Sequence, residues 1–487
     1  MKLFPFLSGK LPTITRYDGE KINFSLTVDK NKKINNNNNN NNNNKDNDRD
    51  NDKDILNFGN FNLAKSNSNT CFTKSLRNSF SGKGIAISAS DKFYPDLIGL
   101  IKVLRALGNT LPIQIVHKND LSLPFQNKLI KLARSDNLKK YLDLEFPKQE
   151  LYFVNVEDCI SDNYKSYFDG FSNKLLALFF NSFNEIILLD TDTVLFVDPN
   201  EFFEFEDYKK NGAFFFKDRE YELRFDYKVD LEFFEKLMPN DLDEFFFNIN
   251  LITNKTKKNR FMSGLKHYME SGVVIINKKT HFKSLINSLT LSTVPQFMGK
   301  IWGEKELFWL SSSIMGDESY SFNNIGAVAI GELSLPEQRP NSKSREVCST
   351  HPGHISSEDS KTLLWINSGF KTCKKEGSEV VDMTLDSFKN KYESVEDLKS
   401  YYETPLRITG AILPPDASNE FLNNLGEPSR GWRMFESCNG YLWCGFNVAG
   451  GNTQNPQAVG KVVEYNEEEQ QFFDFLGELW IGKGNDE

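Results

Sequence analysis

The chain has 487 residues, 39% hydrophobic and 26% charged, enough to bury a large core in one big domain or two or three ordinary ones. Its net charge of −9 leaves no basic footprint for a nucleic acid, so an anionic ligand has to be held locally, by a few Lys or Arg or by a metal. No run approaches the roughly 18 apolar residues of a membrane span, and the start "MKLFPFLSGKLP" lacks the small-residue cleavage site of a signal peptide.

Residues 30 to 54 are low complexity. Ten asparagines, Asn35 to Asn44, run into "KDNDRDNDKD", which cannot build a core and reads as a disordered spacer. Order is expected to begin near Ser81. "GKGIAISAS" predicts a strand over Ile85 to Ser88. In "FYPDLIGLIKVLRALG" the residues Leu97, Leu100, Ile101, Leu104 and Leu107 recur at helical spacing, and Gly108 closes the helix. Strands "LPIQIVH" and "LYFVNV" follow, separated by the helix "SLPFQNKLIKLARS". A helix in "FSNKLLALFFNSF" then leads to the strand "EIILLD". This alternation predicts an α/β fold with a doubly wound, mostly parallel sheet. Ligands of such sheets sit beyond the carboxyl ends of the strands, where Asp190 and Asp192 fall. Further on, "GAFFFKD", "ESGVVIINKKTH" and "NIGAVAIGE" read as strands, and "GEKELFWLSSSIMG" as a helix.

The six cysteines contain no CxxC pair, which argues against a zinc ribbon. Cys438 and Cys444 lie close together in "CNGYLWC" and either pair, in an oxidising compartment, or stay free and buried. Asn23-Phe-Ser and Asn254-Lys-Thr are glycosylation acceptors only if the chain enters the secretory pathway.

The motif "LLDTDTV" admits several chemistries. An EF-hand would put Asp190, Asp192 and Glu201 at positions 1, 3 and 12, but position 6 is Leu195 where Gly is required. A haloacid-dehalogenase-like phosphatase fits locally, with Asp190 as nucleophile. That motif ordinarily ends the first strand, however, and its later acidic motif would want an Asp where Ser321 stands. A further reading is a nucleotide-sugar transferase of Rossmann-like type. Its diphosphate leaves only when its charge is neutralised, which a divalent cation on two carboxylates does.

The chain resembles the fungal Mnn1-type alpha-1,3-mannosyltransferases. The resemblance rests on "GKGIAISASDKFYPDLIGLIKVLRALGNTLPIQIVH", "FSNKLLALFFNSFNEIILLDTDTVLFVDP", "GAFFFKDR", "ESGVVIINKKTH", "GEKELFWLSSSIMGDESYSFNNIGAVAIGE", "TLLWINSGF" and "GWRMFESCNGYLWCGF", in that order. It implies a GT-A fold, GDP-mannose as donor, Mn2+ or another divalent cation, mannosylated glycan acceptors, retention of configuration and a Golgi type II protein, although no anchor is visible in the chain. Thr191 stands where the family's motif is DAD. The implied organisation is a stem over 1–80, a GT-A domain over 81–374 and a C-terminal extension over 375–487 packed on it.

Carried onto this chain, the resemblance implies that Asp190 and Asp192 hold the metal, with His354, or His351 beside it, as third ligand. Lys174, Asp190, Ser88, Ser90 and Glu270 are expected to bind the donor. Glu304, Glu306 and Asp317 are candidate catalytic acids, because retention needs a nucleophile or a polar group steadying the oxocarbenium. Acids such as Glu304 and Glu306 at the start of a helix are also favoured by its dipole alone. A phosphatase and a non-catalytic glycan-binding protein remain the alternatives.

Overall fold

The computed structural model describes residues 4–22, 72–136, 146–221, 228–335, 337, 344–415, 418–422, 428–448 and 459–482. The asparagine run, Asn23 and Cys71 lie outside the described residues.

Apolar strands buried on both faces build the centre of the molecule. Lys83–Ser88, Ile113–His117, Leu151–Asn155 and Glu185–Leu189 pair in parallel, in spatial order fourth, first, second, third. Within the last of these, Ile187 and Leu189 face one core while Ile186 and Leu188 face the other, all at 0% exposure. This is the period-two alternation of a strand covered on both sides. Helix Tyr94–Ala106 lays Leu97, Leu100, Ile101 and Leu104 against the first core, and helix Asn173–Phe180 covers the other. Antiparallel strands extend the sheet on both sides. Met269–Asn277 pairs with the acidic-pair strand and with Ala213–Lys217. The expected α/β, Rossmann-like sheet is present, with Asp190 and Asp192 just past the end of Glu185–Leu189.

Two expectations are corrected. Order does not wait for Ser81: Thr13–Arg16 pairs with Leu151–Asn155, and Phe6, Leu7 and Ile14 are buried in the second core. These residues cover what would otherwise be an open sheet edge. Cys438 and Cys444 neither pair with each other nor stay free. Cys444 faces Cys348 across paired strands and bonds to it, Cys438 bonds to Cys373, and Cys159 is a free buried thiol.

A second, antiparallel sheet runs Lys461–Glu464, Gly410–Leu413, Val328–Gly331, Pro352–Ile355, Leu363–Ile366, Val194–Leu195. Residues on both sides of position 374 therefore share one sheet. The helix Glu467–Ile481 packs on Tyr94–Ala106. Among the described residues no helix is long and apolar enough to cross a membrane.

Candidate active site

The acidic pair stands where the two sheets meet. Asp190 N donates to Gly272 O (3.0 Å), and Thr193 N closes a turn on Asp190 O (3.2 Å). Thr193 Oγ1 also donates to Gly272 O (2.9 Å). The chain then enters Val194–Leu195 in the second sheet. Gly272 has to be glycine, because an added Cβ would lie 2.6 Å from the Trp365 ring. The turn lifts the carboxylates out of the core: the Asp190 and Asp192 side chains are 28% and 23% exposed.

Lys174 reaches this edge from the helix below. Its Nζ donates to Asp190 Oδ2 (2.8 Å), Glu304 Oε1 (2.8 Å) and Ser271 Oγ (2.9 Å). Burial opposes its charge, but Asp190 and Glu304 outweigh burial and hold the ammonium above its ordinary range. Asp190 is pushed up to about 7 by burial; Lys174 opposes the push, and Asp192 and Glu304 add to it. Asp192 in turn pairs with Lys374.

A second cluster adjoins the first. Lys305 Nζ donates to Asp218 Oδ2 (3.0 Å) and Glu270 Oε2 (2.9 Å). Glu270 Oε1 accepts from Ser271 N (3.0 Å), Gly272 N (3.2 Å) and Asn367 Nδ2 (3.0 Å). Burial would raise the Asp218 carboxyl, but Lys305 and Arg219 hold it below the usual carboxylate range. Consecutive residues thus serve different partners: Glu304 takes Lys174, and Lys305 takes Glu270 and Asp218.

The structure brings Lys174, Asp190, Asp192, Glu270 and Glu304 together. Ser88 ends its strand at the same sheet edge, one residue past the Ile87–Leu189 pairing, and Ser90 follows it. Three candidates are corrected. Glu306 is a structural acid, accepting Tyr268 N (2.8 Å), Met269 N (3.0 Å) and Trp309 Nε1 (2.5 Å). Asp317 bonds His281 Nδ1 (3.0 Å) beside Asn211. It therefore lies near Asn277, which pairs with Glu185 at the opposite end of the strand that carries Asp190. His354 is stacked on Trp365 (3.9 Å) with Phe216 at 5.3 Å; both its ring nitrogens are buried without a hydrogen bond, and the charges that bear on it are Asp218, Arg219 and Lys305 rather than the acidic pair. His351 is the imidazole on which the Asp192 charge acts. Burial, with Lys374 and Arg219, pushes it down to about 3, and its buried Nε2 makes no hydrogen bond.

Sequence reasoning missed Asp218, Lys305, Asn367 and Lys374. Asp218 had a signal, since it follows the apolar strand "AFFFK" much as Asp190 follows "EIILL". Lys305, Asn367 and Lys374 had none, because their role comes from partners far away in the chain. Lys374 also helps line a cavity of 280 Å3 with Asp96, Ser368, Lys371 and Trp480.

The donor chemistry here fits a hard divalent cation. Two carboxylates, one pushed up by burial and further by its acidic neighbours, stand with an imidazole whose Nε2 is orphaned. Among the described residues, Asp190 and Asp192 are not drawn within 4.8 Å of a third His, Cys, Asp or Glu ligand atom; Lys174 and Lys374 lie on them. The group that does close up, Glu346, Cys348 and Cys444, has its sulfurs committed to a disulfide.

A family model described as "Mannosyltransferase putative" matches residues 82–356. The chain is 36% identical to "Putative alpha-1,3-mannosyltransferase MNN13" of Candida albicans, over 99% of this chain and 65% of that one. It is 32% identical to "Alpha-1,3-mannosyltransferase MNT2" of Saccharomyces cerevisiae, over 82% of this chain and 68% of that one. The chain spans 53% to 65% of the length of the Candida relatives it matches. A solved structure of "Core-mannan synthase A (CmsA/Ktr4) from Aspergillus fumigatus, Mn/GDP-form" aligns with 50% of this chain and 72% of its own, at 10% identity and a TM-score of 0.33, too slight a likeness to argue from.

Proposed function

The chain belongs to the Mnn1-type family of alpha-1,3-mannosyltransferases, and we propose that it transfers mannose from GDP-mannose to alpha-mannosyl termini of protein-linked glycans, with retention and a divalent cation such as Mn2+. The observation that carries this reading is the sheet-edge pair Asp190 and Asp192, with Lys174 and Lys374 on its two carboxylates and further acids around it. Such a site can bind a cation and the diphosphate it neutralises.

Asp190, Asp192 and His351 would hold the ion. When bound, it supplies Lewis-acid stabilisation of the leaving diphosphate. Lys374 stands on Asp192 and lines the neighbouring cavity with Lys371, and both lysines are suited to donor phosphate oxygens. Lys174, fixed by Glu304 and Ser271, orients Asp190. Glu270 and Asp218, locked by Lys305, offer polar edges to the transferred sugar.

The phosphatase reading loses support. Ser321, where that motif wants an acid, accepts a hydrogen bond from Asn211 (2.7 Å) near His281, at the end of the sheet away from Asp190. A Golgi-lumenal location is supported by the two disulfides, which persist in oxidising compartments, and by the exposed Asn254 of a sequon.

The test is transfer from GDP-mannose to an alpha-mannoside by purified protein, with Mn2+ or with EDTA. Transfer lost in EDTA and in Asp192→Asn is the expected result. Transfer indifferent to both, or its absence with Mn2+ across alpha-mannoside acceptors, overturns the reading.

A further inference from the structure

Two exposed rings border the Lys174–Glu304 ion pair. Phe171 is 75% exposed and Trp302 is 53% exposed, and neither joins a hydrophobic core. Exposed aromatics occur elsewhere on this surface, so exposure alone decides nothing; position does. Phe171 sits in the turn that enters the Lys174 helix, three residues before that lysine. Trp302 is two residues before Glu304, which bonds Lys174 at 2.8 Å. The turn between Trp302 and Glu304 is made by Gly303, at φ +63°, where a side chain would be strained. A Cβ built there would lie 3.6 Å from the Phe171 ring, so the two rings flank one glycine. The Trp302 indole is braced edge-to-face by His267 (4.3 Å), and Lys266 Nζ lies 5.5 Å from its centre.

We propose that Trp302 and Phe171 form a stacking edge for the acceptor sugar, receiving the apolar face of a neutral hexopyranoside at the mouth of the Lys174–Glu304 site. The proposal rests on the mannosyl-transfer reading for its choice of sugar. Aromatic rings offer a large rigid surface at low entropic cost. A pyranose presents a flat C–H face to such a ring and its hydroxyls to the side, where the Lys305–Glu270–Asp218 cluster adjoins. Two rings alone are too small a patch for a stable protein partner.

The exposure of both rings lets Trp302→Ala and Phe171→Ala be made without opening a core. In transfer assays, Trp302→Ala raises the acceptor KM about tenfold, the scale of one lost aromatic stack, while the donor KM moves less than twofold. Trp302→Phe recovers most of the loss. Acceptor KM unchanged in the Trp302→Ala, Phe171→Ala double variant overturns the proposal. If the wild-type protein transfers nothing from GDP-mannose, the mannosyl-transfer reading falls and the edge is judged by saturation-transfer NMR with methyl alpha-mannopyranoside and methyl beta-galactopyranoside. Signal on either sugar that disappears in the double variant supports the edge; signal that persists there, or none in the wild type, overturns it.

Discussion

Lys174 and Glu304, 130 residues apart in the chain, meet at 2.8 Å in the protein interior, and Asp190 shares the same ammonium. One cation thus ties the helix of the first half to the loop of the second and fixes one carboxylate of the acidic pair. Burying such a group is costly unless every charge finds a partner.

Lys174→Met therefore strands the Glu304 carboxylate, 2% exposed, without its ammonium. Breaking a buried pair from one side costs roughly 3–5 kcal/mol. Urea unfolding at pH 7 should show a loss of that size, and transfer should fall because Asp190 loses its orientation. A loss below about 1 kcal/mol, the scale of surface pairs, would mean that this ion pair does not hold the two halves of the site.

Lys374 competes for the carboxylate that a metal would use, since it pairs with Asp192. In Lys374→Ala, Mn2+ should bind more tightly in the absence of nucleotide, by about tenfold, or 1.4 kcal/mol. GDP should bind more weakly, because its phosphates lose a cation. Calorimetric titrations of Mn2+ and of GDP separate the two effects. Weaker Mn2+ binding in the variant would show that Lys374 does not compete for Asp192.

What the sequence made legible follows from distance along the chain. Strand Glu185–Leu189 and helix Tyr94–Ala106 announce themselves by local apolar spacing, and an acidic pair after a buried strand could be placed at the ligand edge. Lys305 looked like a neighbour of Glu304 and Glu306, yet the three side chains take three different sets of partners. Their sorting is set by residues 174, 218, 268 to 270 and 309. The histidines show the same limit: "HPGHI" offers two imidazoles, and only the tertiary fold, which stacks His354 on Trp365 and sets His351 within the field of Asp192, tells their surroundings apart.

The Cys373–Cys438 disulfide, 65 residues in span, closes the segment that carries Lys374. Chain entropy for a loop of that size gives about 4 kcal/mol as the upper scale of its stabilisation. Cys373→Ser should lower the thermal midpoint and, because Lys374 is the next residue, raise the donor KM more than the acceptor KM. Reductant, which also opens Cys348–Cys444, should raise the donor KM of the wild type at least to that of the variant. Equal donor constants in the two proteins would separate the disulfide from the site.

Asp317 supplies the pH test. Burial would raise its carboxyl, but the bonds to His281 and Ser319 N pull it down to about 2, below its ordinary 3.8. A depressed carboxylate stabilises the fold above its unfolded pKa and loses that contribution as pH falls through the folded value. The shift corresponds to about 2 kcal/mol at neutral pH. Asp317→Asn should therefore be less stable than wild type by that amount at pH 7. The gap should persist down to about pH 4, shrink to roughly half by about pH 3 and close towards pH 2. Urea midpoints from pH 7 to pH 3 measure it, and a gap that widens on acidification would contradict the assignment. Because Asp317 stands at the end of the sheet away from Asp190, kcat at pH 7 should match wild type, whereas a catalytic acid at that position would lose it.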